Sequence, residues 1–293
     1  EKKIDPKLKY TGGVKSVFNE FSNKNEFLSE EEYYSGFNNS SFLEENVFAL
    51  YSQLNINVSE KISLQSGVRY EHTLTDINDV ISNSLLVSRN YGNFFPSIYL
   101  GYKINDSNNF NLSLSRRINR PAFTDLAPFT FFVDVDQAFQ GNVSLLPSYT
   151  NNVETSYRVK NLLFTIQYSE EKNLISKFQP QINLDTGFIT IIPRNLDLQK
   201  SANIQFSYSA YPFQFWNLRM FSSYTYAEIE HQLENALYTN SNSSFRFTLN
   251  NSFEIGNNFS FQIWGYYNTR SIFGLNETLP RGSLNLAIQK KIE

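Results

Sequence analysis

Runs of two-residue hydrophobic alternation recur along this chain, joined in turn by a tight polar corner and a long polar connection. In residues 259–267, Phe259, Phe261, Ile263, Gly265 and Tyr267 share one face of an extended backbone, and Ser260, Gln262, Trp264 and Tyr266 share the other. In 245–253, Phe245, Phe247, Leu249 and Phe253 oppose Arg246, Thr248, Asn250 and Ser252. A period of two belongs to a strand, whose successive side chains point to opposite faces. The corner between these runs, Ile255-Gly256-Asn257-Asn258, is rich in residues that tolerate positive φ, so the two strands form one hairpin.

Hairpins of the same kind span about 45–73, 92–117, 150–169 and 198–227. A first strand near 7–19 and a last near 281–292 bring the expected number to about twelve. Pro96 falls inside one of them and weakens a ladder bond there. The tight corners lie near Ser59, Asp106, Lys160, Pro212 and Gly256. The long connections cover about 20–43, 75–88, 119–148, 170–197, 231–242 and 272–280. A soluble sheet has no reason to put every short turn on one rim and every long loop on the other. A barrel in a bacterial outer membrane does, with short periplasmic turns and long external loops. The expected fold is therefore all-β, an antiparallel up-and-down transmembrane β-barrel in the cell outer membrane.

Composition agrees with a greasy outside and a wet inside. Aromatic residues reach 16% of the 293, with 27 Phe and 18 Tyr, while charged residues are only 18% and much of the remainder is Asn, Ser, Gln and Thr. No apolar run approaches the length of a membrane-spanning helix, so a closed barrel is the remaining spanning solution. Residues 1–20 lack the apolar stretch of a signal peptide. The absence of Cys excludes disulfides and thiolate zinc sites, and a net charge of −3 removes the electrostatic warrant for nucleic-acid binding. A charged side chain on the lipid face costs about 2–4 kcal/mol at mid-bilayer. Arg69, Arg158, Arg219 and Arg246 all fall on the polar phase of their strands, so that phase is expected to line the lumen and the apolar phase to meet lipid. Tyr70, Tyr102, Tyr168, Tyr208, Tyr211 and Trp216, near strand ends, suit interfacial belts.

Residues 115–154 carry a more specific pattern. Ser115-Arg116-Arg117-Ile118-Asn119-Arg120-Pro121, Asp125-Leu126-Ala127-Pro128-Phe129, Gln140-Gly141-Asn142-Val143-Ser144-Leu145-Leu146-Pro147 and Asn151-Asn152-Val153-Glu154 resemble the outer-membrane β-barrel domain of TonB-dependent receptor-like proteins of the Bacteroidetes type. Ala49-Leu50-Tyr51-Ser52-Gln53-Leu54, Gly67-Val68-Arg69-Tyr70-Glu71 and Pro193-Arg194-Asn195-Leu196-Asp197 extend the resemblance over most of the chain. It implies an energised importer, a plugged barrel of about 22 strands driven from the inner membrane through a short N-terminal box. The implied partners are outer-membrane lipid, a small solute, glycan or peptide, a TonB-type energiser acting through an N-terminal region, and a surface lipoprotein. Three departures stand out: no plug or box precedes residue 1, the family's Gly-Asn-Pro is here Gly141-Asn142-Val143, and no strand ending in an aromatic closes the chain. Residues 1–293 are therefore expected to be a barrel segment of a longer receptor.

Within that frame the long connection 119–148 is the expected place of ligand capture. Phe131 and Phe132, flanked by Asp134 and Asp136, are the candidate contacts, because an aromatic pair beside carboxylates stacks on a ring or sugar while orienting its polar groups. Glu30, Glu31 and Glu32, followed by Tyr33 and Tyr34, lack the spacing of a cation site, as do Asp134 and Asp136. His231 points away from Glu228 and Glu230 on an extended strand, which opposes acid–base chemistry there. No catalytic residue, metal site or cofactor is expected, and the chain is read as a transporter and not an enzyme. The competing expectations are a non-transporting structural or adhesive barrel, a scaffold for a partner lipoprotein, and a soluble sandwich or solenoid.

Overall fold

A computed structural model describes residues 2–5, 7–26, 38–233, 236–256 and 258–291. In chain order the strands are β1 (Lys2–Asp5), β2 (Leu8–Asn25), β3 (Asn39–Asn57), β4 (Ile62–Asp79), β5 (Ser84–Asn105) and β6 (Asn108–Asn119). A one-turn helix α1 (Phe123–Leu126) and two short strands, β7 (Thr130–Phe132) and β8 (Gln137–Gln140), follow. Then come β9 (Ser148–Val159), β10 (Leu162–Ile182), β11 (Ile189–Phe213), β12 (Trp216–Leu233), β13 (Ala236–Ile255) and β14 (Phe259–Asn268). The small pair β15 (Ser271–Phe273) and β16 (Asn276–Thr278) precedes β17 (Arg281–Lys290). Sequence neighbours pair antiparallel in the order β1 to β6, then β9 to β14, then β17, an up-and-down sheet. Among the described residues its two outer strands do not meet, so the wall is a curved, open part of a barrel.

The short corners lie where alternation placed them, except that Pro212 is still within β11 and the turn follows it at 214–215. The long connections are shorter than expected. The one near 75–88 shrinks to 80–83, and that near 170–197 to 183–188, because the strands continue into them. Likewise β12 and β13 run to Leu233 and from Ala236, and 272–280 contains β15 and β16. The physical reason is that ladder hydrogen bonds need only backbone. Beyond the bilayer both faces of a strand meet water, so the hydrophobic period fades while the ladder persists. The Glu30–Tyr34 run lies outside the described residues.

Two phases separate cleanly. Leu50, Phe94, Leu114, Val153, Phe164, Ile204 and Phe245 belong to the phase whose large apolar side chains stay exposed. On β5 that band runs from Phe94 to Tyr102, about the 9–11 residues a tilted strand needs to cross a bilayer. The opposite phase lines the concavity, because residues from remote strands meet there: Leu43 on β3 and Ile77 on β4 share one apolar cluster with Leu126 and Leu145, and Ile175 of β10 packs against it. Pro96 costs no ladder bond. The Lys103 amide donates to the Lys61 carbonyl (2.7 Å), so Pro96, of opposite parity, faces β6, and pairing with β6 stops at Ser97↔Ser115.

Candidate functional site

The connection from β6 to β9, residues 120–147, folds inward as a strap across the lumen instead of standing on the outer rim. Leu126 and Leu145, 4% and 0% exposed, seat it on Leu43 and Ile77, and Phe123 stacks on Phe21 of β2 at 5.3 Å. At its far end β8 pairs parallel with the start of β11, and Asn25 of β2 donates to the Thr130 carbonyl at 3.0 Å. The fold-back turns on Gly141, where a Cβ would stand 1.9 Å from the Ala127 carbonyl oxygen. Next to it the Asn142 amide donates to the Asp125 carbonyl (2.7 Å), and its side-chain nitrogen donates to the Pro193 carbonyl (3.0 Å). Thus the Gln140-Gly141-Asn142 motif acts as a close-packing point.

Charge ties the strap to the wall. Glu71 of β4, whose side chain is 8% exposed, is held from two sides: Arg120 Nη2 donates to Oε2 at 2.7 Å and Arg69 Nε to Oε1 at 3.0 Å. The same Arg120 nitrogen reaches Thr73 Oγ1 at 2.9 Å. Arg89 on β5 donates to the Val143 carbonyl, and just past the strap Asn93 of β5 donates to the Tyr149 hydroxyl of β9 at 3.0 Å, wall to wall. Further round, Lys177 of β10 pairs with Asp125 at 2.8 Å. A carboxylate so buried needs its partners, so the clamp on Glu71 couples strap position to the charge balance of the wall.

Beside the clamp the concave face holds a cavity of about 420 Å³ lined by Lys15, Tyr51, Gln53, Arg69, Phe95 and Arg117. Arg69 lies over the Phe95 ring, 5.7 Å from its centre. Toward β17 a second space of about 410 Å³ is lined by Asn203, Gln205, Thr225, Arg246, Asn268 and Arg281. Neither lining includes a carboxylate. Fixed guanidinium groups among amides and aromatic faces can receive an oxygen-rich, negatively charged solute.

The sequence-predicted contacts are placed as follows. Phe131 and Phe132 are consecutive on β7 and so point to opposite sides; Phe131 is 60% exposed, and Phe132 meets the Phe188 ring edge-on at 6.1 Å. Asp134 accepts the Asp136 amide at 2.8 Å in the tight turn to β8, and both acids are exposed. The four therefore do not form one surface. Arg69, Arg158, Arg219 and Arg246 stand on four strands of the concave phase, and of these Arg69 alone joins the clamp. His231 Nδ1 lies 3.3 Å from the Asp197 carboxylate, while Glu228 and Glu230 meet Lys200 on the opposite face. Glu71, Arg120, Lys15 and Arg117 were not singled out. A signal was present, since Arg69 and Glu71 sit two apart on one strand, on one face, but the burial that makes them matter comes from the strap.

A wall of thirteen antiparallel strands among the described residues, with an apolar exterior and a polar, strap-crossed interior, defines an outer-membrane β-barrel. The chain belongs to the outer membrane protein beta-barrel family, whose model matches residues 1–293. No curated protein sequence matches it. Among solved structures it is similar to the ferric yersiniabactin uptake receptor FyuA from Yersinia pestis, with TM-score 0.64 and 11% identity over 97% of this chain and 44% of that one. It is also similar to the FrpB iron transporter from Neisseria meningitidis, with TM-score 0.63 and 12% identity over 99% and 46%. A third is the copper transporter OprC, with TM-score 0.64 and 12% identity over 98% and 46%. The chain thus spans less than half the length of these transporters, and the likeness is one of fold.

Proposed function

We propose that this barrel takes up a scarce solute across the outer membrane in TonB-dependent fashion, with the strap as the element that must shift for passage. The observation that carries the reading is the strap itself: it crosses the lumen and is held by a two-arginine clamp on one buried carboxylate. A purely structural barrel has no need of a polar, releasable tether in its bore. The carboxylate-free, arginine-bearing cavities favour an anionic or oxygen-rich cargo. The solved barrels of similar fold are named for ferric siderophore, iron and copper uptake, which supports the same class of task. The energiser would act through a region outside this chain, a surface lipoprotein would meet the outer loops, and no catalysis is assigned.

Cells with and without the full-length protein would be compared for accumulation of ferric siderophores, copper ions and oligosaccharides, in the presence and absence of a protonophore. Protein-dependent, protonophore-sensitive accumulation of at least one cargo is expected. Equal accumulation across the whole panel would reject uptake in favour of an adhesive or scaffolding barrel.

A further inference from the structure

The wall forks near the top of its apolar band. Pairing of β5 with β6 ends at Ser97↔Ser115, yet β4 and β5 stay paired up to Asp79↔Ser84, and β6 and β9 up to Asn119↔Ser148. Beyond the fork β6 leads into the inward strap, whose Arg120 reaches Glu71 on the concave face. The base of the fork borders both faces of the wall: Pro96, Ser97, Ser115 and Arg116 line the concave cavity and also an outward groove of about 530 Å³.

Above that base β5 is a sheet edge inside the wall. Its odd residues bond to β4, as the Lys103 amide does to the Lys61 carbonyl, so Ser88, Asn90, Gly92 and Phe94 turn their N–H and C=O groups to the fork. All four residues are exposed. Among the described residues no strand pairs with this edge and no loop backbone bonds to it. Pro96, at the base, has no amide to offer β6. Natural sheets shorten, charge or cover such an edge, because it pairs with any strand that arrives. A row of donors and acceptors at strand spacing is matched group for group by another extended polypeptide.

Charge narrows the choice of polypeptide. Arg89 on β5 and Arg116 and Arg117 on β6 flank the fork, and among the described residues the arginines that pair with carboxylates are others, Arg69, Arg120 and Arg270. Arg89 meets the Val143 carbonyl and Arg116 the Tyr149 ring, contacts that leave both positive charges uncompensated. The one carboxylate bordering the outward groove, Glu170, stands two strands from Arg116, on β10. We propose that β5 above the fork is a docking edge for an acidic, extended segment of a partner protein at the cell surface. The segment adds to β5 as a further strand, its backbone on Ser88, Asn90 and Gly92 and its carboxylates toward the flanking arginines. This interaction stands whether or not the barrel transports.

The full-length protein in nanodiscs would be titrated with a fluorescein-labelled peptide of about ten residues, the span of a long strand, alternating Glu and Thr. Fluorescence anisotropy reads affinity, and amide hydrogen exchange reads the place of binding. Saturable binding is expected, with exchange slowed at Ser88, Asn90 and Gly92. Asn90→Pro removes a fork-facing donor and no bond to β4, so it should weaken binding about tenfold while the β4–β5 ladder keeps its protection. The same peptide N-methylated at every residue cannot form the ladder and should not bind, which tests the wild type directly should Asn90→Pro fail to fold. A Lys–Thr peptide should bind at least about tenfold more weakly than Glu–Thr. Absence of saturable binding to the wild type would overturn the proposal, as would equal affinity for Asn90→Pro or for the N-methylated peptide. Equal affinity for the Lys–Thr peptide would overturn the acidic partner. Dimers of the wild type that Asn90→Pro abolishes would assign the edge to a second copy, and the proposal fails.

Discussion

Replacing Arg120 with Ala should loosen the strap without dissolving the barrel. The lost interactions are one charge-assisted hydrogen bond to Glu71 and one bond to Thr73, worth about 1.5–3 and 0.5–1.5 kcal/mol. The Glu71 side chain is only 8% exposed, so water cannot fully replace the missing donor. Arg69 stays at 3.0 Å and is itself 48% exposed, so the carboxylate is not orphaned. The ~3–5 kcal/mol of a fully broken buried pair is then an upper bound. Docking of the strap should weaken by roughly 2–4 kcal/mol, a ~30- to ~700-fold rise in its opening equilibrium. Amide hydrogen exchange on the full-length protein in nanodiscs reads this directly. The amides of Ala127, Asn142 and Leu145, which donate within the strap, should lose protection while the β3–β4 ladder keeps it. Arg120→Lys should restore only part, because an ammonium lacks the planar donor set. Strap amides exchanging at wild-type rates in Arg120→Ala would refute the clamp, and so would equal acceleration of strap and ladder. Lys177→Ala is the internal contrast: Lys177 is 45% exposed, and its pair with Asp125 should contribute no more than about 1 kcal/mol.

Gly141→Ala would push a Cβ against the Ala127 backbone, so strap protection should collapse even though the change is one methyl group; unchanged exchange would show that the turn can relax. Leu145→Ala removes a fully buried anchor, and a loss of about 2–5 kcal/mol in strap docking, measured in the same exchange experiment, is expected. Val14→Arg, at a position 80% exposed in the middle of the outward band of β2, should cost about 2–4 kcal/mol in urea titrations of bilayer insertion, whereas Lys15→Arg, one residue on and facing the lumen, should cost almost nothing. Asp79 caps the external turn between β4 and β5: the Ser82 amide, and after it that of Ile81, hold its carboxyl below the ordinary range. A carboxyl depressed on folding stabilises above its unfolded pKa and stops doing so as pH falls through the folded value. Protection at Ile81 and Ser82, taken relative to the intrinsic exchange rate at each pH, should therefore fall below about pH 4, and Asp79→Asn should remove that pH dependence.

Strands that cross lipid were legible because the bilayer imposes opposite chemistry on their two faces. The band from Phe94 to Tyr102 announces itself in any window of the sequence. The strand extensions above it, such as Asp76 to Asp79 paired with Ser84 to Ser88, did not, because water on both sides leaves polar residues in either phase. The candidate site was legible only in part. The block from Ser115 to Pro147 marked the right segment, and Arg69 was read onto the concave phase. Phe131 and Phe132 looked like a pair, but consecutive residues of a strand face apart.

Strand identity, the two faces of each strand and the positions of the short corners were set by the sequence alone, because each depends on neighbours two residues away and on an amphipathic surrounding. The inward strap, the burial of Glu71, the cavity below it and the fork at Ser97 were decided only in the tertiary structure. Arg120 and Glu71 are 49 residues apart, and Asn25 and Thr130 are 105. Contacts at that range leave no period in the chain. They exist because the curvature of the sheet brings remote strands to one concave face, where burial turns an ordinary surface carboxylate into the anchor of the strap.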